Sequence, residues 1–74
     1  MNDAELLDHV EAEAAATVVT IEPATLARLL MLAGYNGMAA HHAMLADRRE
    51  LVDVAGRNLT ELVREARAMV GFRL

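Results

Sequence analysis

Apolar positions first recur at helical spacing near the N-terminus. Leu6, Leu7, Val10 and Ala14 form a narrow stripe, with acids or Ala at most other positions. Asn2 or Asp3 can cap this segment, and acids fill its first turn, where the helix dipole favours negative charge. The pattern predicts an acidic helix within residues 1–16, beginning at Asp3 and docked on another element. The periodicity then changes. Residues 17–21, TVVTI, are the chain's one β-branched run, and β-branched side chains favour extended backbone. Glu22 precedes Pro23 and is biased away from helix. Residues 17–22 are therefore expected to be an extended linker or a short strand. A lone strand needs a partner, and the reading finds no second one, so pairing is expected with another copy of the chain.

Pro23 suits the first turn of a second helix, which the pattern carries over residues 23–34 to Gly34 as a natural terminator. Leu26, Leu29, Leu30 and Ala33 make one face, and Met31 and Leu32 make the other side apolar too. A helix apolar on all sides is a buried one. Residues 29–46 contain no Asp, Glu, Lys or Arg. Within that stretch Gly34, Tyr35, Asn36 and Gly37 make a turn, read as a helix–helix corner because both flanks have helical spacing.

The next helix is expected to start near Met38, and residues 38–70 admit two readings. Gly56, Arg57 and Asn58 can break the segment, with Asn58 capping a further helix and Glu61 closing a capping box. Alternatively one helix runs throughout. Met38, His41, Leu45, Arg48, Val52, Ala55, Leu59, Leu62, Ala66 and Met69 hold one heptad phase across Gly56, which favours continuity with a bend there. Asp53 and Arg57 would form an i,i+4 pair across the same point. A continuous helix would be about 50 Å long. It would project from a globule of about 11 Å radius of gyration and need another chain to cover its stripe. Leu45, Val52, Leu59, Leu62, Ala66 and Met69 are the predicted interface. Gly71 is expected to end the helix, with Phe72 folding back on the last turn. The expected class is all-α: a small helical hairpin or bundle in one domain, with an acidic N-terminal helix and a long C-terminal one, assembled as an oligomer.

Composition supports helix and self-association. The chain has 74 residues, 55% hydrophobic and 3% aromatic, with no Cys. So short a chain is marginal alone, and it has no disulfide to staple it. All seven basic residues are Arg, which with the Ala and Val content suggests a GC-rich bacterial or phage genome. The net charge of −4 is unevenly spread: six acids and no base precede Arg28. Such asymmetry predicts that the N-terminal segment packs near the Arg-bearing one, in the same or another subunit. It argues against nucleic acid as a partner, because phosphate binding needs a basic face. The acidic N-terminus has no signal-peptide pattern. Gly34, Tyr35, Asn36, Gly37, His41 and His42 interrupt the uncharged stretch, which argues against a membrane span. A cytoplasmic location is expected.

The chemistry-bearing residues fit a surface better than a site. His41 and His42 are sequence neighbours, about 100° apart on a helix. Metal pairs on helices sit at i,i+4, where this chain has Leu45 and Ala46. One imidazole is expected at an interface and the other in solvent; an imidazole at a seam would also make assembly sensitive to pH. The acids Asp3, Glu5, Asp8, Glu11 and Glu13 scatter around their helix. Arg57 and Arg64 share a face interleaved with Asp53, Glu61 and Glu65, which describes a salt-bridged surface. Met31, Met38, Met44 and Met69 read as core or interface filling. There is no Ser or Cys nucleophile, no zinc spacing and no phosphate loop. The expectation is a non-enzymatic protein without metal or cofactor. It would associate with itself and with another protein, as a structural or regulatory accessory factor.

The stretch TVVTIEPATLARLLMLAGYNGMAAHHAML also resembles a ribbon-helix-helix regulator in its order of strand, Pro, helix, Gly-bearing turn and helix. That resemblance implies a dimeric DNA-binding regulator whose paired strands read the major groove. Here the strand offers that role only Thr side chains, followed by Glu22.

Overall fold

The computed structural model describes residues 2–46 and 51–73. Helix α1 spans Asp3–Glu13, strand β1 Val18–Ile21, helix α2 Pro23–Leu32, helix α3 Asn36–Ala46, strand β2 Val52–Ala55 and helix α4 Gly56–Arg73. The domain is mostly helical, but it is α+β rather than all-α. Among the described residues, no helix is long and apolar enough to cross a membrane.

Helix α1 begins as the sequence implies. The Asn2 side chain accepts from the Glu5 backbone N–H at 2.8 Å and donates to the Glu5 carboxylate at 2.9 Å, a reciprocal cap. Leu6, Leu7, Val10 and Ala14 are all buried. Helix α2 has Pro23 in its first turn. It ends in a Schellman motif: Gly34 at φ 93° donates to the Met31 carbonyl, and Tyr35 donates to the Leu30 carbonyl at 2.8 Å. Leu26, Ala27, Leu29, Leu30 and Leu32 are buried, so α2 is the centre of the core.

The long helix over residues 38–70 does not form. Helix α3 begins at Asn36, two residues earlier than expected, and Val52–Ala55 is a strand antiparallel to β1. The β-branched run at residues 17–21 therefore finds its partner inside the chain. The partner that β1 needs is β2 of the same chain. The physical reason lies in side-chain alternation. Val19 faces Val54 and Ile21 faces Val52 on the core side, while Thr20 faces Asp53 on the outer side. Thr20 donates a hydrogen bond to the Asp53 carboxylate at 2.8 Å. Asp53 is thus spent across the sheet and does not share a helix with Arg57. Cross-strand apolar pairs and a buried face outweigh a heptad phase that depends on Arg48 as one of its seam positions.

Helix α4 starts at Gly56, two residues before the expected Asn58 cap, and runs through Gly71. Phe72 is 90% exposed and does not fold back. Leu59, Val63 and Ala66 turn inward, and α4 packs on both α1 and α2. The Arg-bearing segment does meet the acidic one, within the chain: Arg67 reaches Asp8 at 2.8 Å and Glu11 at 2.5 Å, and Arg28 reaches Asp3 at 2.7 Å. Two carboxylates on one guanidinium raise the titration point of Arg67. The radius of gyration is 11.5 Å, which is what a compact chain of this length should have.

Candidate interaction surface

Of the six predicted interface residues, four pack against the core. Leu59 and Ala66 are fully buried, and Val52 and Leu62 are half-buried against the same core. Met69 keeps 37% of its surface. The Leu45 side chain lies outside the described residues. Leu59, Leu62 and Ala66 of the α4 stripe pack into the chain's own core.

The uncharged stretch divides differently. Its first part, the end of α2, is core. Its second part, α3, is not: between Asn36 and Met44 only Ala39 is buried and His42 half-buried. A helix with no charged residue is here exposed along most of its surface. On the outer side of the α2–α3 pair runs a groove of about 640 Å³, lined by Ala24, Ala27, Arg28 and Met31 from α2 and Asn36, Ala39, Ala40 and Ala43 from α3. The four α3 positions fall at i, i+3, i+4 and i+7, one face of a helix. Small side chains keep the floor low, while Met31, 52% exposed, lines the groove. Absence of charge alone does not distinguish this open helix from a buried one. The available signal was the Ala spacing Ala39, Ala40, Ala43, too small-sided to fill a core.

A second apolar area lies where the α2–α3 corner meets the end of α4. Tyr35 and Met38 are 40% and 53% exposed, and Met69 approaches Gly34 from α4. Glu65, as a hydrogen-bond acceptor and as a negative charge, raises the titration point of the Tyr35 phenol above the usual 10.0, with smaller contributions from desolvation and from Glu61. A phenol held neutral in this way stabilises the docked corner below pH 10, and the contact is lost as pH rises through the raised value. Tyr35 is the only tyrosine, so phenolate absorbance follows it alone. The midpoint should lie above that of a free tyrosine and fall back in Glu65→Gln. An identical midpoint in the two proteins would show that the contact does not form.

Among the described residues, other titratable side chains meet in pairs. His41 and His42 pack edge to face with ring centroids 5.7 Å apart, and Nδ1 of His42 has no hydrogen-bond partner among the described residues. His9 and Glu13 sit 3.2 Å apart, both half in solvent, beside an open cleft of about 390 Å³ that Thr20, Glu22 and Thr25 also line. Among the described residues, no cluster of three or more His, Cys, Asp or Glu side chains could hold a metal ion.

No protein-family model matches the chain, no curated protein matches it, and no solved structure matches its fold.

Proposed function

We propose that this chain is a small non-enzymatic protein that associates with itself and acts through protein–protein contact, as a structural or regulatory accessory factor. The observation that carries the reading is α3: eleven residues without a formal charge, held on one side only, with the Ala-floored groove beside them. Soluble chains seldom leave such a surface uncovered, and contiguous apolar patches mark sites of association. The four sequence-predicted interface positions that are buried or half-buried serve the fold, so the reading moves the contact from the α4 stripe to the α2–α3 face.

A photo-crosslinking residue placed at position 43 in the producing cells tests this. The same residue at position 12, exposed on α1, is the control. Adducts with protein, another copy included, should form from position 43 in clear excess over position 12. Equal yields at the two positions would remove the reading.

A further inference from the structure

We infer that Met69 is an oxidation site that acts as a latch: a hydroperoxide that converts its thioether to a sulfoxide undocks the end of α4 from the corner between α2 and α3. This modification is independent of whatever covers the α2–α3 face.

The placement of Met69 carries the inference. Met31, Met38 and Met44 are 52%, 53% and 74% exposed, whereas Met69 keeps 37% of its surface. Met69 is thus reachable from solvent and also partly covered. What covers it includes the corner itself: its Cε methyl lies 3.6 Å from the position a Cβ would take on Gly34. Gly34 ends α2 at φ 93° and has no side chain, so a methyl from α4 comes down on its backbone. Glu65 lies one turn earlier on the same face of α4, and it acts on Tyr35, the residue after Gly34. Two successive turns of α4 therefore hold two successive residues of the corner.

The chemistry is an oxygen transfer. The sulfur lone pair attacks one peroxide oxygen, the O–O bond breaks and an S–O bond forms. Hydrogen peroxide leaves as water, and the sulfur is oxidised by two electrons. The product places a strong hydrogen-bond acceptor on a side chain that was apolar. The backbone donors of the corner are already spent: the Gly34 N–H donates to the Met31 carbonyl at 3.0 Å, and the Tyr35 N–H to the Leu30 carbonyl at 2.8 Å. Glu65, the neighbour one turn away, is itself an acceptor. The new oxygen must turn out to water to be satisfied, and the methyl contact with the corner is lost. Sulfoxides at Met31, Met38 and Met44 form on side chains that are already at least half in solvent, so they cost little. Sulfoxide reductases reverse the modification.

Hydrogen peroxide applied to the full native chain tests this, with peptide mass spectrometry reading conversion at each methionine. Oxidised wild type should melt about 4–8 °C lower than the untreated protein. Its Tyr35 phenolate midpoint should fall back toward 10.0 as Glu65 moves away. Met69→Leu keeps the volume of the side chain and should fold. Treated in the same way, it should oxidise at Met31, Met38 and Met44 and show neither change. Reductases for both sulfoxide epimers should restore wild type. Four results would overturn the inference: Met69 unmodified when Met31, Met38 and Met44 are converted, Met69 converted with both readouts unmoved, equal changes in Met69→Leu, or no recovery after reduction.

Discussion

Gly56→Ala should destabilise the protein by about 3 kcal/mol or more, the largest effect expected from adding a methyl group at any of its glycines. Gly56 is the first residue of α4 and is buried. Its N–H donates to the Thr17 carbonyl at 3.0 Å, closing the end of the sheet. A Cβ at this position would run into the Ala16 carbonyl oxygen and lie 2.5 Å from that of Ala14. Both are backbone atoms, so no side chain can rotate away. Relief requires moving the whole α1–β1 link off the start of α4. Helix propensity alone predicts the opposite sign, since Ala is about 1 kcal/mol better than Gly inside a helix. Gly71, in the same helix, separates the two effects: nothing lies within 4 Å of its Cβ position. Gly71→Ala should therefore raise the melting temperature slightly. Gly56→Ala should lower it by roughly 12–24 °C for a domain of this size. Thermal denaturation followed by circular dichroism compares them directly, and a Gly56→Ala protein melting at or above wild type would refute the close approach.

Gly56 also shows where sequence reading reached its limit. Local signals were legible: the Asn2 cap, the Leu6–Leu7–Val10–Ala14 stripe, Pro23 at the start of α2 and Gly34 at its end each have a short-range cause, and each is in place. The asymmetry of charge correctly implied contact between the acidic and Arg-bearing segments. What failed was non-local. Val52 and Ala55 read as members of a helical stripe because Leu59, Leu62 and Ala66 continue the same phase, and periodicity cannot reveal that residues 17–21 lie alongside. A strand of four residues gives little periodic signal of its own. Gly56 read as a tolerable helix interior because the two carbonyls that exclude a side chain come from about forty residues upstream. The α2–α3 groove was hidden for a related reason: an uncharged helix looks the same in sequence whether its own chain covers it or leaves it open.

Leu59→Asp should abolish the fold itself, whatever the state of association. In a continuous heptad helix, Leu59 would be a seam residue, and a charge there would dissociate folded subunits. In this structure it is fully buried between α4, α1 and α2. The substitution removes a large apolar side chain, worth about 2–5 kcal/mol with the cavity it leaves. It also puts a carboxylate where no partner is available, which adds several kcal/mol or forces the group to bind a proton. A domain of 74 residues holds a total stability of roughly 4–11 kcal/mol, so the two losses together are enough to unfold it. The milder Leu59→Ala keeps the test quantitative: it should lower the urea midpoint without altering the slope of the transition. Ala40→Glu supplies the contrast, because a charge on the exposed α3 face should leave helicity intact. If Leu59→Asp keeps its helical circular dichroism and instead halves the mass of an assembly, α4 presents its stripe to another subunit, and the packing of α4 on α1 and α2 is wrong.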